Sequence, residues 1–445
     1  MVEKISLFVA ITLIILFRLP FIRKDLLFLV FALTLAFATE PVFTILQIDS
    51  HMTGAFGHVA NFYLMSFFSI FLFLSKKVTF WSDKSVKTIL LFCIICFLNY
   101  INPNNQQRIA IIPVICNVGQ LVLFLFLIKS SYSRSTIYAA LFEAFACWTI
   151  LQFILTLCYP ILGIDAVTTF FHKESALFWS LKREGYVSAV GTFPHPSQLA
   201  FVCAGFSLFY FASYLLSYRK KDSLTLFVIN LFVIFFTYSR MTFVALLISL
   251  FTTFFLYKDI RFSAKKIGYI ITLFVVVYLF TCIPFINNLF LKSDSTEMTE
   301  ARLLHWSIGL EIWDNNRWIG TGINNHVSYM INQSSKIFSL VVNNEFITSN
   351  PIHNIHIIIL VETGIIGFCA WLIVNYRLLK QSFSHLKVSS GIKKASMLVC
   401  ISFVLFNFIY GFSGWSVFNI AVYAPFAGTL YLLYYSSNKR KSIPT

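Results

Sequence analysis

The chain has 445 residues, 58% of them hydrophobic and 12% charged, with a mean hydropathy of +0.78. That composition excludes a soluble globular protein and identifies a polytopic membrane protein. The net charge of +16 does not indicate a nucleic-acid partner, because Lys and Arg cluster in short breaks between apolar runs, as the positive-inside rule predicts.

A helix needs about 20 apolar residues to cross a bilayer. On that rule an all-α protein is predicted, with spans near 5–17, 26–48, 58–75, 88–101, 109–128, 135–158, 195–217, 223–238, 241–257, 267–286, 355–376, 395–412 and 415–435. The first is short, so the count is twelve or thirteen according to whether it crosses or lies at the interface. With one lysine before it and no small-residue cleavage site, it reads as a retained segment rather than a removed signal peptide. The nine cysteines fall nearly all within apolar runs. Cys93 and Cys96 form a CxxC with no histidine or polar context, which gives no indication of metal or redox use.

Alternate breaks between these spans hold 24 of the 34 Lys and Arg residues, so those breaks are expected on the cytoplasmic side. The other ten lie on the opposite side despite its longer loops. Two long outer loops are expected, 164–194 and 287–354, within a single transmembrane domain spanning 1–445. Eight of the nine histidines (all but His385) fall outside or at the outer boundary. Function is therefore expected on the extracytoplasmic side, where ATP and nucleotide sugars are absent.

Four places could carry chemistry. Thr237-Tyr238-Ser239-Arg240 interrupts the apolar run 224–257, which puts Arg240 at the outer boundary. An arginine snorkelling to headgroups is the plain reading. An ionisable residue at membrane depth is by default a functional candidate, and that reading is favoured here. In ARLLHWSIGLEIWDNN, helical spacing places Arg302, His305, Trp306, Gly309 and Trp313 on one face, with Leu303 and Leu310 beside it. A guanidinium fork among aromatic planes suits a phosphate next to a sugar; an interfacial helix anchored by tryptophans suits the same pattern.

The third place is SNPIHNIHIIILVETGIIG, 349–367. Pro351 fits the first position of a helix, with Ser349 or Asn350 as the N-cap. That puts His353 and Asn354 in the first turn and His356 on roughly the face of His353. The macrodipole at that end disfavours protonation of His353 and attracts phosphate. A capping or headgroup role is the ordinary reading of a lone histidine. His356 reads as a support; no carboxylate stands at metal-ligand spacing, so neither metal nor cofactor is expected. Fourth, His195 in GTFPHPSQLA begins another span, where packing and substrate lining compete. Glu40, Glu143 and Glu362 lie within spans and need partners there.

His353-Asn354, nine residues, Gly364, two residues and Gly367 resemble the H-[NSQ]-x9-G-x-x-[GTY] signature of the O-antigen ligase and Wzy-type O-antigen polymerase superfamily. GTFPHPSQLA, TYSR, ARLLHWSIGLEIW and WIGTGINN agree with it in order and side. The resemblance implies a GT-C-like membrane glycosyltransferase using undecaprenyl-pyrophosphate-linked oligosaccharide in the bacterial cytoplasmic membrane. By it, Arg240 and Arg302 hold the donor pyrophosphate and His353 is the general base of an inverting, metal-independent transfer. Asn354, His356, His195, His305 and Trp306 would line the substrate. A chain-length regulator and a flippase become expected partners. The motif is common to polymerases and ligases; GTFPHPSQLA and GTGINN look more like the polymerases, which makes a polymerase the expectation and a ligase the alternative. A lipid-linked oligosaccharide flippase is the rival from another class, though its site would sit at the midplane rather than the outer boundary.

Overall fold

The computed structural model describes residues 2–37, 41–47, 59–75, 85–105, 108–162, 188–193, 195–257, 295–337, 351–414 and 420–435. The chain is an all-α polytopic membrane protein in its architecture, with one small hairpin among the described residues. Among the described residues six helices are long and apolar enough to cross a membrane. The predicted span 267–286, Glu40, and most of the predicted loop 164–194 lie outside them.

From the N-terminus, α1 (Val2–Arg18) and α2 (Leu27–Phe37) precede β1 (Pro41–Gln47) and β2 (Val59–Tyr63). Then come α3 (Leu64–Ser75), α4 (Ser85–Ile101), α5 (Ile111–Ser131) and α6 (Arg134–Leu162). The second half holds α7 (Pro196–Leu215), α8 (Lys220–Phe236) and α9 (Arg240–Tyr257). After these follow α10 (Ser295–Asn315), α11 (His326–Ile337), α12 (Ile355–Val388), α13 (Gly391–Tyr410) and α14 (Ile420–Tyr435).

The hairpin corrects the expectation of continuous helices over 26–48 and 58–75. Strands β1 and β2 pair antiparallel from Pro41↔Tyr63 to Gln47↔Val59. Their backbone would be costly near lipid unless satisfied. Helix α5 supplies the partners: Asn61 N–H donates to Asn117 Oδ1 (2.9 Å), Tyr63 N–H to Gln120 Oε1 (3.0 Å), and Gln120 Nε2 to the Asn61 carbonyl (2.6 Å).

The core centres on α6 and α7, whose Tyr138, Phe142, Phe145, Phe201, Phe206 and Phe209 are fully buried. Helix α9 packs on α13, tied by Thr253 and Ser402 hydroxyls 2.5 Å apart. At one end of the bundle Glu143, 2% exposed, receives Nε and Nη2 of Arg18 (3.2 and 2.6 Å) and Nη1 of Arg219, which also binds Asp222. This is the partner that a carboxylate within a span requires. Glu143→Ala leaves the buried Arg18 guanidinium without its carboxylate and Arg219 with Asp222 alone, and a loss of about 3–5 kcal/mol is expected. Thermal unfolding in detergent micelles measures it; an unchanged midpoint would mean that solvent reaches the arginines.

Candidate active site

At the opposite end of the bundle, α12 begins later than the sequence suggested. Its N-cap is Asn354, whose Oδ1 accepts from the N–H groups of His356 (3.0 Å) and Ile357 (3.2 Å). His353 therefore precedes the helix instead of lying in its first turn, and the three-residue spacing to His356 does not bring the two together. His356 turns inward to donate from Nε2 to the Phe408 carbonyl of α13 (2.9 Å), packed among Trp371, Phe408 and Phe412. The Ile355 N–H donates to the Gly411 carbonyl (2.8 Å). Both contacts seat the start of α12 on the end of α13.

His353 donates from Nδ1 to the Pro351 carbonyl (3.0 Å), which leaves the lone pair on Nε2. Helix α10 covers it. His305, 3% exposed, lies parallel to the His353 ring at 5.9 Å between centroids, and Trp306 donates from Nε1 to the His353 carbonyl (3.2 Å). The approach depends on Gly309, where a Cβ would come within 2.6 Å of Ile357 and 2.9 Å of Ile352. Ile308 and Ile312 complete a small core with Ile352, Ile358 and Val361. The face predicted for α10 is thus the one that packs, and Leu303 and Leu310 are exposed beside it. Burial pushes the His353 imidazole down to about 4, helped by the charges of Arg302, His305 and His195, against the Pro351 bond. Burial also lowers the Arg302 guanidinium, opposed by Tyr410.

His195 is the N-cap of α7, accepting at Nδ1 from the Ser197 N–H (3.1 Å) with the Ser197 hydroxyl at 2.6 Å. The turn before it is held by Gln152 of α6, which accepts from the Thr192 N–H (3.0 Å) and donates to the Thr192 hydroxyl (2.8 Å). His195, Arg302, His305 and His353 thus come together from three parts of the chain. Arg240 heads α9 at the same end. The Ala189 N–H, just before the turn that leads to His195, donates to the Phe236 carbonyl at the end of α8, four residues before Arg240 (2.9 Å).

Gly364 breaks α12, with φ 63° and ψ −173° inside the helix. The break exposes backbone groups that the segment 317–322 takes up. Thr321 and Gly322 N–H donate to the Val361 and Glu362 carbonyls (both 2.9 Å), and the Ile365 N–H donates to the Arg317 carbonyl (2.8 Å). A Cβ at Gly364 would overlap the Trp318 carbonyl, and one at Gly320 would overlap the Glu362 backbone. Asn102 and Asn104 donate to the Gly320 carbonyl (3.2 Å each) from the other side. Glu362 itself pairs with His326 Nδ1 at 2.6 Å.

Gln152, Asn102, His326 and Tyr410 were not singled out from the sequence. The polar interruption NYINPNN was the one signal that could have raised the asparagines.

No curated protein matches the chain. Residues 225–372 match the family model described as O-Antigen ligase, a stretch that includes Arg240, Arg302, His305, His353 and Gly364. The helices are those of a multi-pass membrane protein, and over this third of its length the chain is similar to the O-antigen ligase family.

Proposed function

We propose that the chain polymerises undecaprenyl-pyrophosphate-linked repeat units into O-antigen or capsular polysaccharide at the outer face of the cytoplasmic membrane. The observation that carries this reading is a neutral, desolvated His353 beside Arg302, its Nδ1 tied to Pro351. Nε2 takes the proton of the acceptor hydroxyl as that oxygen attacks the anomeric carbon from the face opposite the pyrophosphate, which gives inversion without a metal. Arg302 and Arg240 stabilise the charge that develops on the departing pyrophosphate. His195, His305 and Trp306 line the substrate. Asn354 and His356 hold the start of α12. The stretches 287–354 and 164–194 serve as outer loops of one transmembrane domain, and a flippase and chain-length regulator act before and beside it.

Arg302→Ala and Arg240→Ala are each expected to lose most activity while inserting normally. Lysine should rescue either poorly, since a point charge does not reproduce the fork. Full activity in either variant removes that residue from the pyrophosphate site. The description of the matching family favours a second reading, a ligase that moves finished glycan onto lipid A–core. Deletion followed by surface-glycan electrophoresis tests the choice. A single-repeat product supports polymerase; unligated polymer on its carrier supports ligase.

A further inference from the structure

Three polar contacts close a triangle inside the apolar bundle. Asn230 of α8 donates from Nδ2 to the Thr149 hydroxyl of α6 (2.9 Å). Gln152, three residues further along α6, accepts from the Thr192 N–H (3.0 Å) and donates to the Thr192 hydroxyl (2.8 Å). The Ala189 N–H then closes the figure on the Phe236 carbonyl, which ends α8 (2.9 Å). Thr149, Gln152 and Asn230 are completely buried. Amides at such depth are costly unless paired, so the pairings hold α6, α8 and the turn 188–193 in one relative arrangement.

The turn is closely fixed. Val190 and Phe193 are buried in the core, and the Phe193 N–H donates to the Val190 carbonyl (2.9 Å). Gly191 between them has φ 56°, and a Cβ on it would overlap Gln152 Oε1. Two corners of the triangle lead to residues of the candidate site. His195, the cap of α7, follows Thr192 by three residues. Arg240 follows Phe236 by four, across a corner closed by side chains. There the Thr237 hydroxyl donates to the Ile234 carbonyl (2.6 Å), and the Ser239 and Thr242 hydroxyls are 2.8 Å apart.

We propose that Gln152 is a positioning residue for recognition of the lipid-linked donor. By clamping Thr192 it sets the substrate-lining His195 against the phosphate-holding Arg240, so that one donor molecule meets both. This role rests on the glycosyl-transfer reading. Gln152 precedes the matched residues 225–372, so donor recognition would depend on α6 as well as on that segment. An amide that only stabilises the bundle predicts different behaviour on substitution.

The test is binding of undecaprenyl pyrophosphate to purified full-length protein in lipid nanodiscs, scored per folded molecule beside the thermal unfolding midpoint. Gln152→Leu removes both bonds at similar side-chain size. It is expected to weaken binding about tenfold, through groups misplaced rather than missing. Thr192→Val loses only the hydroxyl and should weaken binding roughly threefold. Thr192→Ser keeps that hydroxyl and should bind as the native protein does. Gln152→Leu combined with Thr192→Val should be no weaker than Gln152→Leu alone, because both break the same clamp. Losses that multiply to about thirtyfold would mean that Thr192 meets the ligand independently, and would overturn the positioning role. Equal losses in Thr192→Ser and Thr192→Val overturn it too. So does a lowered midpoint in Gln152→Leu with binding unchanged, which leaves a stabilising residue only. If Gln152→Leu does not fold, the Thr192 pair decides, and unchanged binding in Thr192→Val overturns the role. Native protein that fails to bind undecaprenyl pyrophosphate, or binds it equally well as Arg302→Ala, overturns the transfer reading and this assignment with it. Arg302-dependent binding that is insensitive to every Gln152 and Thr192 variant overturns this assignment alone.

Discussion

His353→Gln is expected to reduce glycan transfer by about 10²–10⁴-fold, the range for loss of a general base, with membrane abundance unchanged. Glutamine can retain the bond to the Pro351 carbonyl but has no basic nitrogen. Lipid translocation, measured on the same membranes, should not change; parallel loss of both would point to transport. The pH profile makes the prediction sharper. Burial and the neighbouring charges hold the His353 imidazole at about 4 instead of 6.5. A base works only when unprotonated, so kcat/KM for the free enzyme should stay level from neutral pH downward and fall only near 4. A bound pyrophosphate offsets the charge of Arg302 and raises the imidazole again. The acid limb of kcat should therefore lie at higher pH than that of kcat/KM. Two coincident limbs near 6.5 would mean an ordinary exposed histidine, and the base would have to be sought elsewhere.

Gly364→Ala should be the most damaging glycine substitution in the matched segment. The conformation at Gly364 is essentially restricted to glycine, and imposing a side chain there costs on the order of 1–3 kcal/mol in backbone strain alone. The added Cβ also overlaps the Trp318 carbonyl, which is backbone and cannot rotate aside. Relief requires displacing 317–322, and with it the bonds of Thr321, Gly322 and Ile365. The expected outcome is lower accumulation in membranes and fast hydrogen exchange at Thr321 and Gly322. Gly119→Ala in α5 provides the contrast, because a Cβ there would meet nothing within 4 Å. Similar behaviour of the two variants would show that the bend is not held by close backbone approach.

Residues whose role follows from local periodicity were legible. Arg302, His305, Trp306 and Gly309 fall on one face by helical spacing, and that is the face α10 buries. Glu143 was recognisable as needing a partner, though not which one. Periodicity misled where the helix had not yet begun. Asn354 caps α12 through its side chain, so His353 and His356 diverge although they are three apart. Hydropathy misled at 41–47 and 59–63, because an apolar run of that length suits strand or helix and the deciding partners, Asn117 and Gln120, are over 50 residues away. Tyr410 and Gln152 carried no signal. Each is an ordinary residue of an apolar helix until another part of the chain packs on it, as Thr192 in the turn before α7 does on Gln152.

The break in α12 also separates two mechanical environments. Beyond Gly364 the helix is largely exposed, with Ile366, Ile373, Val374 and Tyr376 facing outward, so it follows the thickness and tilt of the surrounding bilayer. Before it, nine residues from Ile355 to Thr363 are clamped by α10, α13 and the 317–322 segment. An unbroken helix would transmit every tilt of the span to His353 as a lever does. With the joint at Gly364 the lipid-facing part can rock while the histidine keeps its place, and the transfer rate should vary little across nanodiscs of different acyl-chain length.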